Sequence, residues 1–350
     1  MERAYRIAVM VLVLAGVAAA RANDAPPQQC WTDKALAATE AEFKHQRNRA
    51  LLDLAGLRQI EIPAAAAVTP ELRGSIRSVA LPEGRKLIAL TFDLCEENSY
   101  VSGYDGRIVD ALRAQGIKAT FFASGKWMES HPERTAQLIA DPLFEVGAHG
   151  LRHRDMSQLD DQTLRDELAL TEAAYARART ALAARQCLTG DRHPNPALRL
   201  TLLRFPYGRC NQKALDAAAE AGQLAIQWDV VSGDPDPRTS AKAIANRILA
   251  GAHPGAIVVA HANGRGRNTA EALALVLPKL KEQGYEFVTV SELLAAGKPI
   301  IASECYLNAP GDLRYRPSYV ARKGGDTRVA RSTGRNGKDG PYYSIFSRRH

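Results

Sequence analysis

Short apolar runs alternate along the chain with stretches whose apolar residues recur at helical spacing. Residues 86–92, Lys-Leu-Ile-Ala-Leu-Thr-Phe, close on Asp93, and residues 255–260, Gly-Ala-Ile-Val-Val-Ala, close on His261. Between them lie 118–123, 144–148 ahead of His149, and 200–205, which carries Arg204. Such runs predict strands, and the intervening stretches, for example 108–115, predict helices. Alternating strands and helices with polar residues at the strand ends predict an α/β fold of the β/α barrel type, whose chemistry sits at the C-terminal ends of the strands.

The strand ends also gather a specific set of side chains. Asp93, the pair His149 and His153, Arg204, the segment from Trp228 to Asp234, and His261 supply a carboxylate, two imidazoles, a cation and a further histidine. These are the components of a metal-assisted hydrolase. His149 and His153 are four apart, so on a helical turn both imidazoles face one side and can grip one divalent ion. Alone, a pair at this spacing is more often surface decoration; its place in an ordered set argues for ligation.

The order and content of these segments, with the linking stretches 116–122 and 145–149, resemble the NodB-type polysaccharide deacetylases, carbohydrate esterase family 4. The likeness runs from about residue 87 to 294. It implies a distorted (β/α) barrel that removes acetyl groups from N-acetylated sugars with a divalent metal, zinc being the expected ion. An acetamide is unreactive, so its hydrolysis needs an activated water, a stabilised oxyanion and a proton for the departing amine. By resemblance Asp93 is the general base, Arg204 the cation that keeps it ionised, and His261 the general acid, with Asp234 raising its pKa. Tyr207 would offer its backbone N–H to the oxyanion, since Pro206 and Gly208 force a tight turn around it. The plainer alternatives are a strand-end histidine satisfied by backbone and a rim-packed tyrosine.

Two positions depart from the family pattern. The first motif ordinarily reads Thr-Phe-Asp-Asp, with the second Asp a metal ligand; here Leu94 stands in that place and cannot coordinate. Glu96 is the expected substitute, Glu97 the next choice, and a helix-starting acid the alternative for Glu96. The fourth motif has Pro235 where an aromatic usually follows Asp, so Trp228 is expected either to wall the acetyl pocket or to be a core residue.

Residues 1–22 have basic Arg3 and Arg6, an apolar stretch and Ala20-Arg21-Ala22, the pattern of a secretory signal, with a retained anchor as the alternative. Export makes the five cysteines readable. Loop closure suggests Cys187–Cys210 and Cys30–Cys305, leaving Cys95 as a small buried apolar residue rather than a catalytic thiol. The chain of 350 residues carries a formal charge of +8, of which residues 1–22 hold +2 and residues 311–350 hold +7. The body is therefore near neutral at −1. The expected organisation is a signal (1–22), a largely helical accessory segment (23–84), the deacetylase domain (85–300) and a basic, disordered tail (301–350). That tail could touch anionic envelope polymer, whereas export disfavours nucleic acid as a partner. Three functions remain distinct: an N-deacetylase acting on envelope or exopolysaccharide glycan, a glycan-binding barrel that has lost its metal, and an amidase for a small substrate.

Overall fold

The computed structural model describes residues 30–44, 46–47, 52–97, 100–187 and 197–313. The proposed signal and the chain beyond Leu313 lie outside them, as do residues 188–196. In chain order the strands are β1 (Gln46–Arg47), β2 (Ser75–Ala80), β3 (Leu87–Leu94), β4 (Tyr100–Val101), β5 (Ala119–Ala123), β6 (Phe144–Ala148), β7 (Leu202–Leu203), β8 (Leu224–Ile226), β9 (Val230–Val231), β10 (Ile257–His261), β11 (Glu286–Phe287) and β12 (Lys298–Ala302).

The main sheet has the order β12-β2-β8-β7-β6-β5-β3-β10-β9, with β11 also on β3. Its pairs are parallel except β12 on β2. One run of chain, 224–231, pairs with β7 and β2 at its start and with β10 at its end, which curls the sheet back on itself. The result is an open, distorted half-barrel, as the sequence predicts.

Helices Gly106–Ala114, Pro132–Ala140, Asp161–Ala184, Gln212–Glu220, Ala241–Gly251 and Thr269–Glu282 follow or link the strands. The first shows why the sequence folds this way. Asp105 caps its N-terminus, Ile108, Val109 and Leu112 form its buried stripe, and Gly116 turns the chain at φ 62°. Strand β3 is buried along its whole length, and its alternate residues divide between two cores. Ile88, Leu90, Phe92 and Leu94 join the helix-covered cluster, while Leu87 and Ala89 join the inner cluster with Ile226, Ile257 and Trp228. Thr91 and Asp93 continue the inner parity.

Three expectations are corrected. The accessory segment is not largely helical: its described part holds the short helices Asp33–Leu36 and Leu54–Arg58 and a 3-10 turn at Pro70–Leu72. Good helix formers do not sustain a helix without an apolar stripe to bury; here single residues anchor the segment, Leu57 in the main core and Leu36 against Ala136, Ala140 and Leu182. The expected boundaries at 84 and 301 both fall inside the sheet's reach, because β2 begins at Ser75 and β12 carries the body beyond Ala302 to a described end at Leu313. The disulfides are Cys30–Cys187 and Cys210–Cys305. Cys30 follows Trp31 and Leu36 onto the cluster containing Leu182, next to Cys187, while β12 returns Cys305 to the barrel beside Cys210. Cys95 is unbridged and buried. Among the described residues no helix is long and apolar enough to cross a membrane.

Candidate metal centre and active site

A cavity of about 830 Å³ opens at the C-terminal ends of the strands, and Asp93, His149, His153, Tyr207, Trp228 and His261 line it. Asp234 and Cys95 also reach it. Arg204 lies behind, with no solvent exposure.

Arg204 binds Asp93 Oδ1 through Nη1 at 2.8 Å and the Thr91 hydroxyl at 2.7 Å. Its remaining donors reach the carbonyls of Ile226 and Gln227, and its plane lies 4.1 Å from the Phe122 ring centroid. Burial alone would push the Asp93 carboxyl up, but the charge and hydrogen bond of Arg204 hold it below its usual value. Asp93 is therefore a buried, ionised carboxylate whose second oxygen lies 3.7 Å from His149 Nε2.

His149 and His153 do not share a helical turn. They sit in the loop after β6, shaped by Gly150 at φ 70° and by His153 itself at φ 51°. A left-handed backbone is costly for a non-glycine residue and persists only where its surroundings enforce it. Glu167, which sequence reasoning missed, enforces it in part: its buried carboxylate accepts from the N–H groups of Leu151 and Arg152. The imidazoles end 4.9 Å apart between centroids. His149 Nδ1 donates to the Arg204 carbonyl at 2.8 Å, which leaves Nε2 as a bare lone pair facing the cavity side. Both His149 Nε2 and His153 Nδ1 are buried without a hydrogen-bond partner among the described residues. Burial pulls both imidazoles down in pKa, so they are neutral and suited to a cation. Two orphaned nitrogens of this kind fit a metal ion.

His261 stands beside Asp93 in the register of β10 on β3. Its Nδ1 meets Asp234 Oδ1 at 2.9 Å, and its backbone N–H donates to Asp234 Oδ2. Ser232 and Thr269 hydroxyls complete the carboxylate's partners. Burial lowers the His261 pKa, yet the Asp234 carboxylate outweighs it and the net shift is upward. Tyr207 has φ 60° and ψ 11°, inside a turn continued by Gly208 at φ 63°. Its ring meets His153 edge-on at 4.4 Å. Trp228 donates from its indole to the Leu307 carbonyl at 3.0 Å and sits against Gly208, where a Cβ would meet the ring at 2.8 Å.

The profile of the polysaccharide deacetylase family matches residues 80–226. A peptidoglycan-N-acetylglucosamine deacetylase from Bacillus cereus is 32% identical over 220 residues, which are 61% of this chain and 91% of the relative. The chain belongs to the polysaccharide deacetylase family. The peptidoglycan-N-acetylglucosamine deacetylase PgdA of Listeria monocytogenes is 31% identical over 63% of this chain, and the chain spans 42% of that relative's length. Among solved structures, a CE4-family pseudoenzyme from Bacillus anthracis superposes with a TM-score of 0.50 at 27% identity, covering 62% of this chain and 68% of that one.

Glu96, the expected substitute for a carboxylate at the Leu94 position, does not face the two histidines. The Glu96 side chain is fully buried on the other side of β3's end. One oxygen accepts from Lys126 Nζ at 3.0 Å, and the other from Ser130 Oγ at 2.6 Å and the Ser102 N–H at 3.0 Å. No cluster of donor atoms among the described residues contains it. Glu97 is at the rim, within 3.4 Å of the Tyr207 hydroxyl and 3.5 Å of Arg265. The residue that does meet the histidines is Cys95: its Sγ and one nitrogen each of His149 and His153 lie within 4.8 Å of one another. Cys95 equally forms a cluster with Asp93 and His261. Burial raises its thiol well above the usual range, so a thiolate there needs an adjacent cation. The sequence did carry a signal for it, the period-two continuation Thr91, Asp93, Cys95 on one strand face.

Proposed function

We propose that this protein is an exported, zinc-dependent N-deacetylase acting on the N-acetylated amino sugars of an envelope glycan. The observation that carries the reading is the meeting in one cavity of an Arg204-held Asp93, two orphaned imidazole nitrogens, and an Asp234-held His261. The names of the Bacillus cereus and Listeria monocytogenes relatives favour a peptidoglycan substrate.

A divalent ion held by His149 and His153 would supply Lewis acidity toward the acetamide carbonyl and toward the attacking water. Asp93, ionised and fixed by Arg204, accepts a proton from that water. The turn at Pro206–Gly208 aims the Tyr207 backbone N–H at the oxyanion. His261, kept protonated by Asp234, gives its proton to the departing amine, and Trp228 with Leu307 walls the space for the acetyl methyl. The basic residues beyond Leu313 could add contact with anionic envelope polymer.

A glycan-binding barrel without turnover is the competing reading. It draws on Leu94 and on the likeness to a pseudoenzyme. Against it stand the Asp93–Arg204 and His261–Asp234 pairs, both complete. Acetate release from peptidoglycan, exopolysaccharide and chitooligosaccharides, before and after chelation, decides between them. Release that chelation abolishes supports the deacetylase; stoichiometric glycan binding without acetate supports the barrel.

A further inference from the structure

We propose that Cys95 is the third protein ligand of the metal centre, giving a thiolate and two imidazoles and thereby selecting a thiophilic divalent ion. The inference rests on the metal-dependent reading above and specifies the ligand set of that same site.

Alternation along the end of β3 carries the argument. Leu94 turns into the helix-covered core, with no solvent exposure, and Glu96 turns to Lys126 and Ser130. Asp93 and Cys95, on the opposite parity, turn into the cavity. Backbone bonds hold this placement: the Leu94 carbonyl accepts from the Ser124 N–H at 3.1 Å, and the Cys95 carbonyl accepts from Asn263 Nδ2 at 2.9 Å. A cysteine alone makes no site. Here its Sγ and one nitrogen each of His149 and His153 lie within a mutual 4.8 Å, and both of those buried rings carry a nitrogen with no hydrogen-bond partner. It remains free while the other four cysteines are bridged in pairs. The carboxylate lost at position 94 is thus replaced by a donor one residue later and of softer character. Thiolate ligands favour zinc, cobalt and cadmium over magnesium, calcium and manganese.

The test uses the full chain stripped of metal and reloaded with Co(II), Zn(II) or Mn(II). Cobalt bound through sulfur gives an intense near-ultraviolet charge-transfer band, which imidazole and water ligands do not give. We expect that band in the wild type, and its loss in Cys95→Ser with Zn(II) affinity reduced about 100-fold or more, since even indirect partners of a ligand are worth 10–100-fold. Cys95→Asp should recover binding without the band and take up Mn(II) better than the wild type. If Cys95→Ser does not fold, the wild-type spectrum decides alone. Stoichiometric cobalt that depends on His149 but lacks the band overturns Cys95 as ligand and leaves the metal-dependent reading intact. An acetyl group trapped on Cys95 overturns it in favour of a nucleophile served by His261 and Asp234. Uptake of none of these ions overturns the ligand assignment and the metal-dependent reading together.

Discussion

Arg204 Nη1 donates to Asp93 Oδ1 at 2.8 Å from a guanidinium that no solvent reaches. The pair bridges the C-terminal ends of β7 and β3, and each charge is buried only because the other is present. Removing the cation alone leaves a carboxylate in a low-dielectric site, which costs about 3–5 kcal/mol. Arg204→Met should therefore lower stability by about that amount in urea unfolding. A loss below about 1 kcal/mol would mean that water reaches Asp93 and that the pair is weak.

Asp93→Asn separates proton transfer from structure. The amide keeps the shape and can still bond Arg204, but it cannot accept a proton from water. Turnover should fall about 10²–10⁴-fold, while bound metal, read by elemental analysis, stays. Loss of the metal together with turnover would instead make Asp93 a ligand, a role its distance of 3.7 Å from His149 Nε2 leaves open to experiment.

The His261–Asp234 pair sets a pH limit. Burial works against the imidazolium, but Asp234 outweighs it and the folded pKa is raised. The general acid thus stays protonated to a higher pH than a free histidine, and the alkaline limb of the kcat/KM profile reports its deprotonation. Asp234→Asn removes the raising carboxylate, so that limb should move to lower pH. The same sign governs stability: the pair's contribution is complete below the unfolded histidine pKa and disappears as pH rises through the raised folded value. An alkaline limb unmoved in Asp234→Asn would take His261 out of the acid role.

Much of the site could be read in the sequence because strand ends converge in a barrel by topology. Asp93, His149, His153, Arg204, Asp234 and His261 each follow or end an apolar run, and the curled sheet brings them together, Arg204 behind Asp93 and the others on the cavity wall. Face parity was harder. Glu96 has the better chemistry for a hard cation, yet one step along a strand reverses direction, and Lys126 waits on that reversed side. The histidine loop also misled, since a spacing of four suits a helix as well as a strained turn with two left-handed residues. The disulfides depended on where β12 returns Cys305 and on where the Trp31 segment docks Cys30, neither of which a local pattern encodes.

Glu96 provides a contrast between a structural and a metal-binding carboxylate. Its ion pair with Lys126 is almost wholly buried, and Lys126 Nζ also bonds the carbonyls of Glu97 and Tyr100. Glu96→Ala should cost about 3–5 kcal/mol of stability by stranding the ammonium. Zinc affinity of the folded fraction should not change. A selective loss of metal with stability intact would return Glu96 to the ligand set.

The bridge Cys210–Cys305 ties the turn carrying Tyr207 to the strap that follows β12. That strap walls the cavity through Leu307, whose carbonyl accepts from Trp228 and from Arg77, and whose N–H donates to Asp312. Replacing both cysteines by Ser should cost about 2–4 kcal/mol and lower kcat/KM by loosening the Trp228 wall. The Cys30–Cys187 bridge closes a longer loop, with a sequence separation of 157 against 95, but it lies against the Trp31 and Leu182 cluster. Its removal should cost comparable stability and leave kcat/KM of the folded enzyme unchanged. Non-reducing peptide mapping checks the pairing first, because a peptide linking Cys187 to Cys210 would displace the strap and remove the basis for distinguishing the two bridges.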